Sequence, residues 1–145
     1  MDQVTSKLST VYIGQLDFGP EKATDGDTRT IWQSLTVTRI EVSPWIQLNL
    51  TRVYCILEVV IYNQAFGIST DGDLENVLIA IGNAENEVAG FDERYLCAYN
   101  EGQPPNSKFT MVCNRIMYGH LIRLTAVQIN ASLRLRELEV YGKKN

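Results

Sequence analysis

From Trp45 to Leu50 the apolar residues Ile46, Leu48 and Leu50 alternate with Gln47 and Asn49. A period of two places alternate side chains on opposite faces of an extended chain, so this stretch reads as a half-buried β-strand. Other segments read the same way: Val11–Ile13, Val53–Tyr62, Val77–Ile81, Tyr95–Tyr99, Phe109–Cys113, His120–Val127 and Leu133–Tyr141. In Val53–Tyr62 the alternation assigns Val53, Cys55, Leu57, Val59 and Ile61 to one face. Turn-rich stretches at 14–28, 64–76 and 100–107 separate these runs, and no long segment carries a helical period. About eight strands with such punctuation predict an all-β antiparallel sandwich of the jelly-roll kind. The 145 residues hold no repeat, linker or low-complexity tract, so residues 1–145 are read as a single domain.

One strand is irregular. In Leu133-Arg134-Leu135-Arg136-Glu137-Leu138-Glu139-Val140 the apolar residues occupy odd positions and then even ones. A strict period of two cannot change phase without an extra residue, so a β-bulge is expected at Arg136-Glu137. A bulge leaves a carbonyl unpaired and re-aims a side chain, and both can serve a cation.

Cys97 and Cys113 lie in two of the strand segments with a turn between them. A disulfide joining them would close a loop of about fifteen residues, worth roughly 3 kcal/mol in the chain-entropy model. Cys55, in a run apolar on both faces, reads as a buried small hydrophobe. No two cysteines stand at zinc-ligand spacing. The triplets Asn49-Leu50-Thr51 and Asn130-Ala131-Ser132 match the acceptor pattern for N-glycosylation. With the disulfide they favour an oxidising compartment, hence a secreted or extracellular protein. The opening residues Met1–Ser6 do not have the charge-then-apolar order of a signal peptide. A net charge of −4 with dispersed Lys and Arg excludes nucleic acid as the main partner.

Several motifs occur in an order that resembles the F-type lectins (fucolectins) of the discoidin-like, galactose-binding-like superfamily. They are Ala23-Thr24-Asp25-Gly26-Asp27, Ser43-Pro44-Trp45-Ile46-Gln47-Leu48, Val59-Val60-Ile61-Tyr62-Asn63, Ile81-Gly82, the Cys97/Cys113 pair, and Arg136-Glu137-Leu138-Glu139-Val140-Tyr141-Gly142. The similarity runs from about Val11 to Gly142. It implies a structural Ca2+ held by the carbonyls of Lys22, Asp27 and Arg136, the carboxylates of Asp25 and Glu137, and Ser34 through hydroxyl and carbonyl. Six to eight oxygens of mixed type suit calcium.

The resemblance fails at the sugar site. The positions that read fucose in the family, a histidine, an arginine, an aspartate and a second basic residue, fall here on Val37, Gln64, Phe66 and Asp73. The adjacent cysteines usual in that loop are replaced by Gly67-Ile68. Loss of the cationic donors removes the directional hydrogen bonds that select sugar hydroxyls, so fucose binding of the family type is not expected. Arg39, Gln64, Phe66, Asp71, Asp73 and Tyr99 remain as loop residues able to build a different ligand site, with an aromatic ring for stacking and polar groups for hydrogen bonds. His120 reads as structural, and Trp32 and Trp45 as packing residues. No nucleophile–base pair, acid–base carboxylate pair or cofactor fingerprint is present, so the chain is read as a non-enzyme.

The expectation is a calcium-stabilised, lectin-like module with altered, non-fucose carbohydrate specificity, used in cell-surface, immune or adhesion recognition. Its partner would be a glycan or cell-surface glycoprotein, with self-association possible. The alternative is a protein–protein recognition domain on a lectin scaffold without sugar binding. Phospholipid binding ranks lowest, because only Phe66 and Ile68 support it and the net charge opposes anionic membranes.

Overall fold

The structure, a computed structural model, describes residues 4–13, 16–29, 35–63, 74–104 and 106–144. Among the described residues seven strands run β1 (Thr5–Leu8), β2 (Thr36–Val37), β3 (Trp45–Asn63), β4 (Val77–Gly82), β5 (Leu96–Asn100), β6 (Lys108–Ala126) and β7 (Arg134–Lys144). The predicted pairs 45–50 with 53–62, and 109–113 with 120–127, each merge into one 19-residue strand. β3 and β6 pair antiparallel along their lengths, in the order β2-β7-β3-β6-β4-β5, with β1 on β3.

The sandwich arises because these long strands change register. Pairing breaks between Asn49 and Tyr54, where Thr51 takes φ 68°. Before the break β3 lies between β1 and β6; after it, between β6 and β7. The two halves share one core, in which Ile46, Leu48, Ile79 and Ile122 meet Val59, Ile61, Met111 and Leu138. This is the antiparallel sandwich that the alternation predicts.

Four expectations need correction. Val11–Ile13 is not a strand: Tyr12 N–H bonds the Val37 carbonyl, Ile13 is exposed, and the N-terminal strand is instead Thr5–Leu8. The single face assigned to Val53–Ile61 breaks at a second bulge. Ile56 pairs with Gly142 and Glu58 with Tyr141, so Leu57 is the extra residue and is exposed. Gly142 fits this spot because a Cβ there would lie 2.0 Å from the Cys55 carbonyl oxygen. Cys55 is correspondingly half-buried rather than a core residue, and it carries no disulfide. Finally, a short helix α1 (Glu85–Ala89) and 3-10 turns at Pro20–Thr24 and Glu93–Tyr95 interrupt the all-strand reading. They are too short to display a period. α1 starts where Glu87 Oε1 accepts the N–H groups of Asn83 (2.7 Å) and Ala84 (3.1 Å), and Val88 packs on Leu78, Ala80 and Leu121.

The Cys97–Cys113 disulfide is present and joins β5 to β6 across 16 residues.

Candidate functional site

The bulge expected at Arg136-Glu137 is present. Leu135 pairs with Asn63 and Glu137 with Tyr62, which leaves Arg136 as the inserted residue. Its side chain is buried, yet its bonds go to backbone: Nε to the Asn63 carbonyl and Nη1 to the Thr28 carbonyl, both at 2.6 Å. The bulge therefore ties the end of β3 to the 25–29 turn. Burial pulls the Arg136 guanidinium below its usual range.

Beside it, Glu137 is 5% exposed. Its Oε2 accepts the N–H of Gly26 at 3.0 Å, which requires the turn that Gly26 makes at φ 81°. Its Oε1 is buried with no hydrogen-bond partner. Burial is the main force lifting this carboxyl to about 8, and the neighbouring Asp25 carboxylate adds to it while the Gly26 N–H opposes it. The exposed Asp25 carboxylate thus lies beside the buried Glu137 carboxylate. A buried, orphaned carboxylate oxygen is costly unless a cation or proton compensates it. Hard oxygen donors of this kind suit Ca2+.

Asp25 Oδ1 accepts the Asp27 N–H at 2.9 Å, while both Asp27 carboxylate oxygens bind the Arg29 guanidinium at 2.8 Å. Asp27 was expected to contribute its carbonyl, so this pairing leaves that role open. Lys22 lies in the 3-10 turn just before, its N–H bonded to the Gly19 carbonyl. Among the described residues, no three His, Cys, Asp or Glu side chains cluster as a metal site. A cation here would depend on backbone carbonyls as well as on Asp25 and Glu137. Ser34, Gln64, Phe66, Asp71 and Asp73, with Trp32, Gly67 and Ile68, lie outside the described residues.

The loops at one end are cross-linked. Asn76 N–H donates to the Gly102 carbonyl, and Gly102 N–H to Asn76 Oδ1 at 2.8 Å; Asn76 Nδ2 and carbonyl oxygen hold Val127. Ser43 N–H reaches the Gln128 carbonyl, and Glu41 and Ala131 exchange backbone bonds. A cleft of about 550 Å³ opens between these loops, lined by Val42, Glu75, Asn76, Val127 and Ile129 among others.

Of the described ligand candidates, Arg39 is exposed and its Nε donates to the Val11 carbonyl at 3.3 Å. Tyr99 is half-exposed on the edge strand β5, paired with Leu78. Neither lines the cleft. Val37, at the family's histidine position, is buried against Phe18 and Leu35. Sequence reasoning missed Ile40, Val42 and Ile129, exposed at 67, 70 and 87% on these end loops. Their isolation between polar residues hid them: Ile40 follows Arg39 and Ile129 lies between Gln128 and Asn130. Arg39-Ile40-Glu41-Val42-Ser43 alternates as a half-buried strand would, so the sequence carried no signal of their exposure.

Trp45 and His120, read from the sequence as a packing and a structural residue, both make side-chain contacts. Trp45 is half-buried, with the Arg123 guanidinium stacked 3.8 Å from its ring centroid. His120 Nδ1 lies 3.3 Å from Asn49 Oδ1 on the outer face of the sheet.

No family model matches the sequence, and no curated protein does either. Solved structures do. An F-lectin (fucolectin) from serum of striped bass, Morone saxatilis, superposes with TM-score 0.82 at 23% identity over 97% of this chain. The chain spans 47% of the length of that structure. The lectin domain of Lectinolysin, solved with Lewis B antigen, matches at TM-score 0.75, 19% identity, covering 98% of this chain and 93% of that one. A family 32 CBM from C. perfringens NanJ, in complex with galactose, matches at 0.70 and 18%, covering 94% and 92%. The chain has the F-type-lectin-like fold.

Proposed function

We propose that this chain is a calcium-stabilised carbohydrate-recognition module that reads glycans through the loops at one end, with a specificity other than fucose. The observation that carries the reading is Glu137: a buried carboxylate at a bulge, beside Asp25, with one oxygen unpartnered. In this reading Asp25 and Glu137 hold the ion with the carbonyls of Lys22, Asp27 and Arg136 and with Ser34. The bound ion supplies charge compensation and rigidity; the chain's residues supply the recognition. The altered specificity rests on the replacement of the four fucose-reading residues, of which Val37 is buried. Structures sharing the fold were solved with Lewis B antigen and with galactose, which supports a glycan as partner. The disulfide supports a secreted, extracellular setting with roles in adhesion or immune recognition.

A glycan array probed with calcium and again with EDTA tests this. Calcium-dependent binding to non-fucosylated glycans is expected. Silence on every glycan in both conditions would refute the sugar reading.

A second reading is protein recognition by the same end. It is favoured by Ile40, Val42 and Ile129, whose exposure gives an apolar rim better suited to a polypeptide than to sugar hydroxyls. Crosslinking to a specific polypeptide that Ile129→Asp abolishes would select it.

A further inference from the structure

The outer face of the sheet carries a second concavity, away from the end loops. It measures about 420 Å³, within the ~300–1,000 Å³ span of small-molecule sites. β1 forms one wall and supplies Lys7; β3 and β6 form the floor with Gln47, Asn49, His120 and Leu121; the turn into α1 forms the other wall with Asn83 and Glu85.

Its polar groups are held in place rather than loose. Arg123, 7% exposed, stacks on Trp45 and donates from Nε (3.0 Å) and Nη2 (2.7 Å) to Gln47 Oε1. That bidentate grip fixes the Gln47 amide, whose Nε2 turns toward Glu85 Oε1 at 3.5 Å. Lys7 Nζ pairs with the same Glu85 oxygen and lies 5.8 Å from the Trp45 ring. Asn49 Oδ1 is engaged by the Thr51 N–H at 2.8 Å and faces His120 Nδ1. With the proton on Nδ1 that contact is a hydrogen bond, and Nε2 becomes an acceptor. What these bonds leave over is Glu85 Oε2 as acceptor, Asn49 Nδ2 as donor, and the exposed Asn83 amide as both.

Charge decides the ligand class. Among the lining residues Lys7 and Glu85 pair with each other, and the Arg123 guanidinium is buried against Gln47 and Trp45, so the lining presents no unpaired charge to draw an anion or a cation. It offers oriented donors and acceptors, with aliphatic atoms of Leu121 in the floor and of Ala84 in the wall beside them. That mixture of polar and aliphatic lining fits a pyranose ring, with hydroxyls at its edge and C–H groups on its face. We infer that this cleft is a binding site for a neutral saccharide, read by Glu85, Asn49 and Asn83. The inference does not rest on the end-loop reading: its residues come from β1, β3, β6 and the α1 turn, and no calcium ligand is among them.

The test is a titration of 15N-labelled protein, produced without N-glycosylation, with methyl glycosides of galactose, mannose, N-acetylglucosamine and fucose, followed by NMR in EDTA. Expected is a saturable shift of the Asn49 and Asn83 side-chain amides and the His120 backbone amide by at least one glycoside. Glu85→Gln should weaken that binding at least tenfold. Asn83→Ala, an exposed change outside the Arg123–Gln47 contacts, should weaken it severalfold and guards against a folding defect. Shifts confined to residues 39–43, 75–76, 99–103 and 127–130 would overturn the inference while leaving the end-loop reading standing. Absence of any shift at ~10 mM glycoside, ten times a 1 mM Kd, would overturn it outright.

Discussion

Asn76 and Gly102 bond to each other reciprocally: the Asn76 N–H donates to the Gly102 carbonyl at 3.0 Å, and the Gly102 N–H donates to Asn76 Oδ1 at 2.8 Å. Asn76 takes φ 53° to do so, a conformation Asn tolerates better than most residues, and Gly102 takes φ 75°. The same Asn76 donates to the Val127 carbonyl, so one side chain fastens three loops. Asn76→Ala should cost about 2–3 kcal/mol through the lost bonds and strained φ. Urea unfolding checks the size, and proteolysis in the 99–103 and 127–130 loops should quicken in parallel.

Arg136 is expected to be the most sensitive charged position. Removing its guanidinium takes one donor from each of the carbonyls of Asn63 and Thr28. Arg136→Met keeps much of the volume, yet should cost about 2–4 kcal/mol in chemical denaturation. A loss under 0.5 kcal/mol would show that water replaces the side chain at the bulge.

The disulfide offers a prediction of a different origin. Replacing Cys97 and Cys113 together by Ala frees a loop spanning 16 residues, with an expected loss of about 3 kcal/mol. For a chain of this size that corresponds to roughly 6–12 °C in Tm, measurable by calorimetry. Cys55→Ser, at a half-buried position, should change far less.

Acid sensitivity can be traced to Glu87. The N–H of Asn83, the Tyr95 hydroxyl and the Ala84 N–H hold its carboxyl below the usual carboxylate range. A depressed folded value means the stabilisation is present above the unfolded value and is lost as pH falls through the folded one. Wild type should therefore exceed Glu87→Gln in Tm at neutral pH, with the gap closing below the ordinary carboxylate range. A gap that stays constant from neutral pH into strong acid would contradict this role.

The parts legible in sequence were those with a local signature. A phase switch in the alternation located the bulge at Arg136, and two cysteines flanking a turn gave the disulfide. The Leu57 bulge was hidden because Val53–Ile61 is apolar on both faces, so a change of phase leaves no mark and the single face read there was wrong. The cleft beneath Glu85 was hidden for a topological reason. Lys7, Gln47, Glu85 and Arg123 are scattered through the chain, and only the pairing of β1 with β3 and of β3 with β6 brings three of them together. The Asn76 clamp was likewise invisible, since it joins loops that no pattern links.

The calcium reading concentrates on Glu137, and a calorimetric calcium titration of wild type and Glu137→Gln addresses it most directly. Saturable binding to wild type is expected, with a Tm gain of roughly 5–10 °C at a hundredfold excess over Kd, from about 2.7 kcal/mol of linkage. Glu137→Gln keeps an acceptor for the Gly26 N–H but loses the charge, so its binding and its calcium-induced Tm gain should disappear. Wild type that gives no binding heat and the same Tm in calcium as in EDTA would contradict the account.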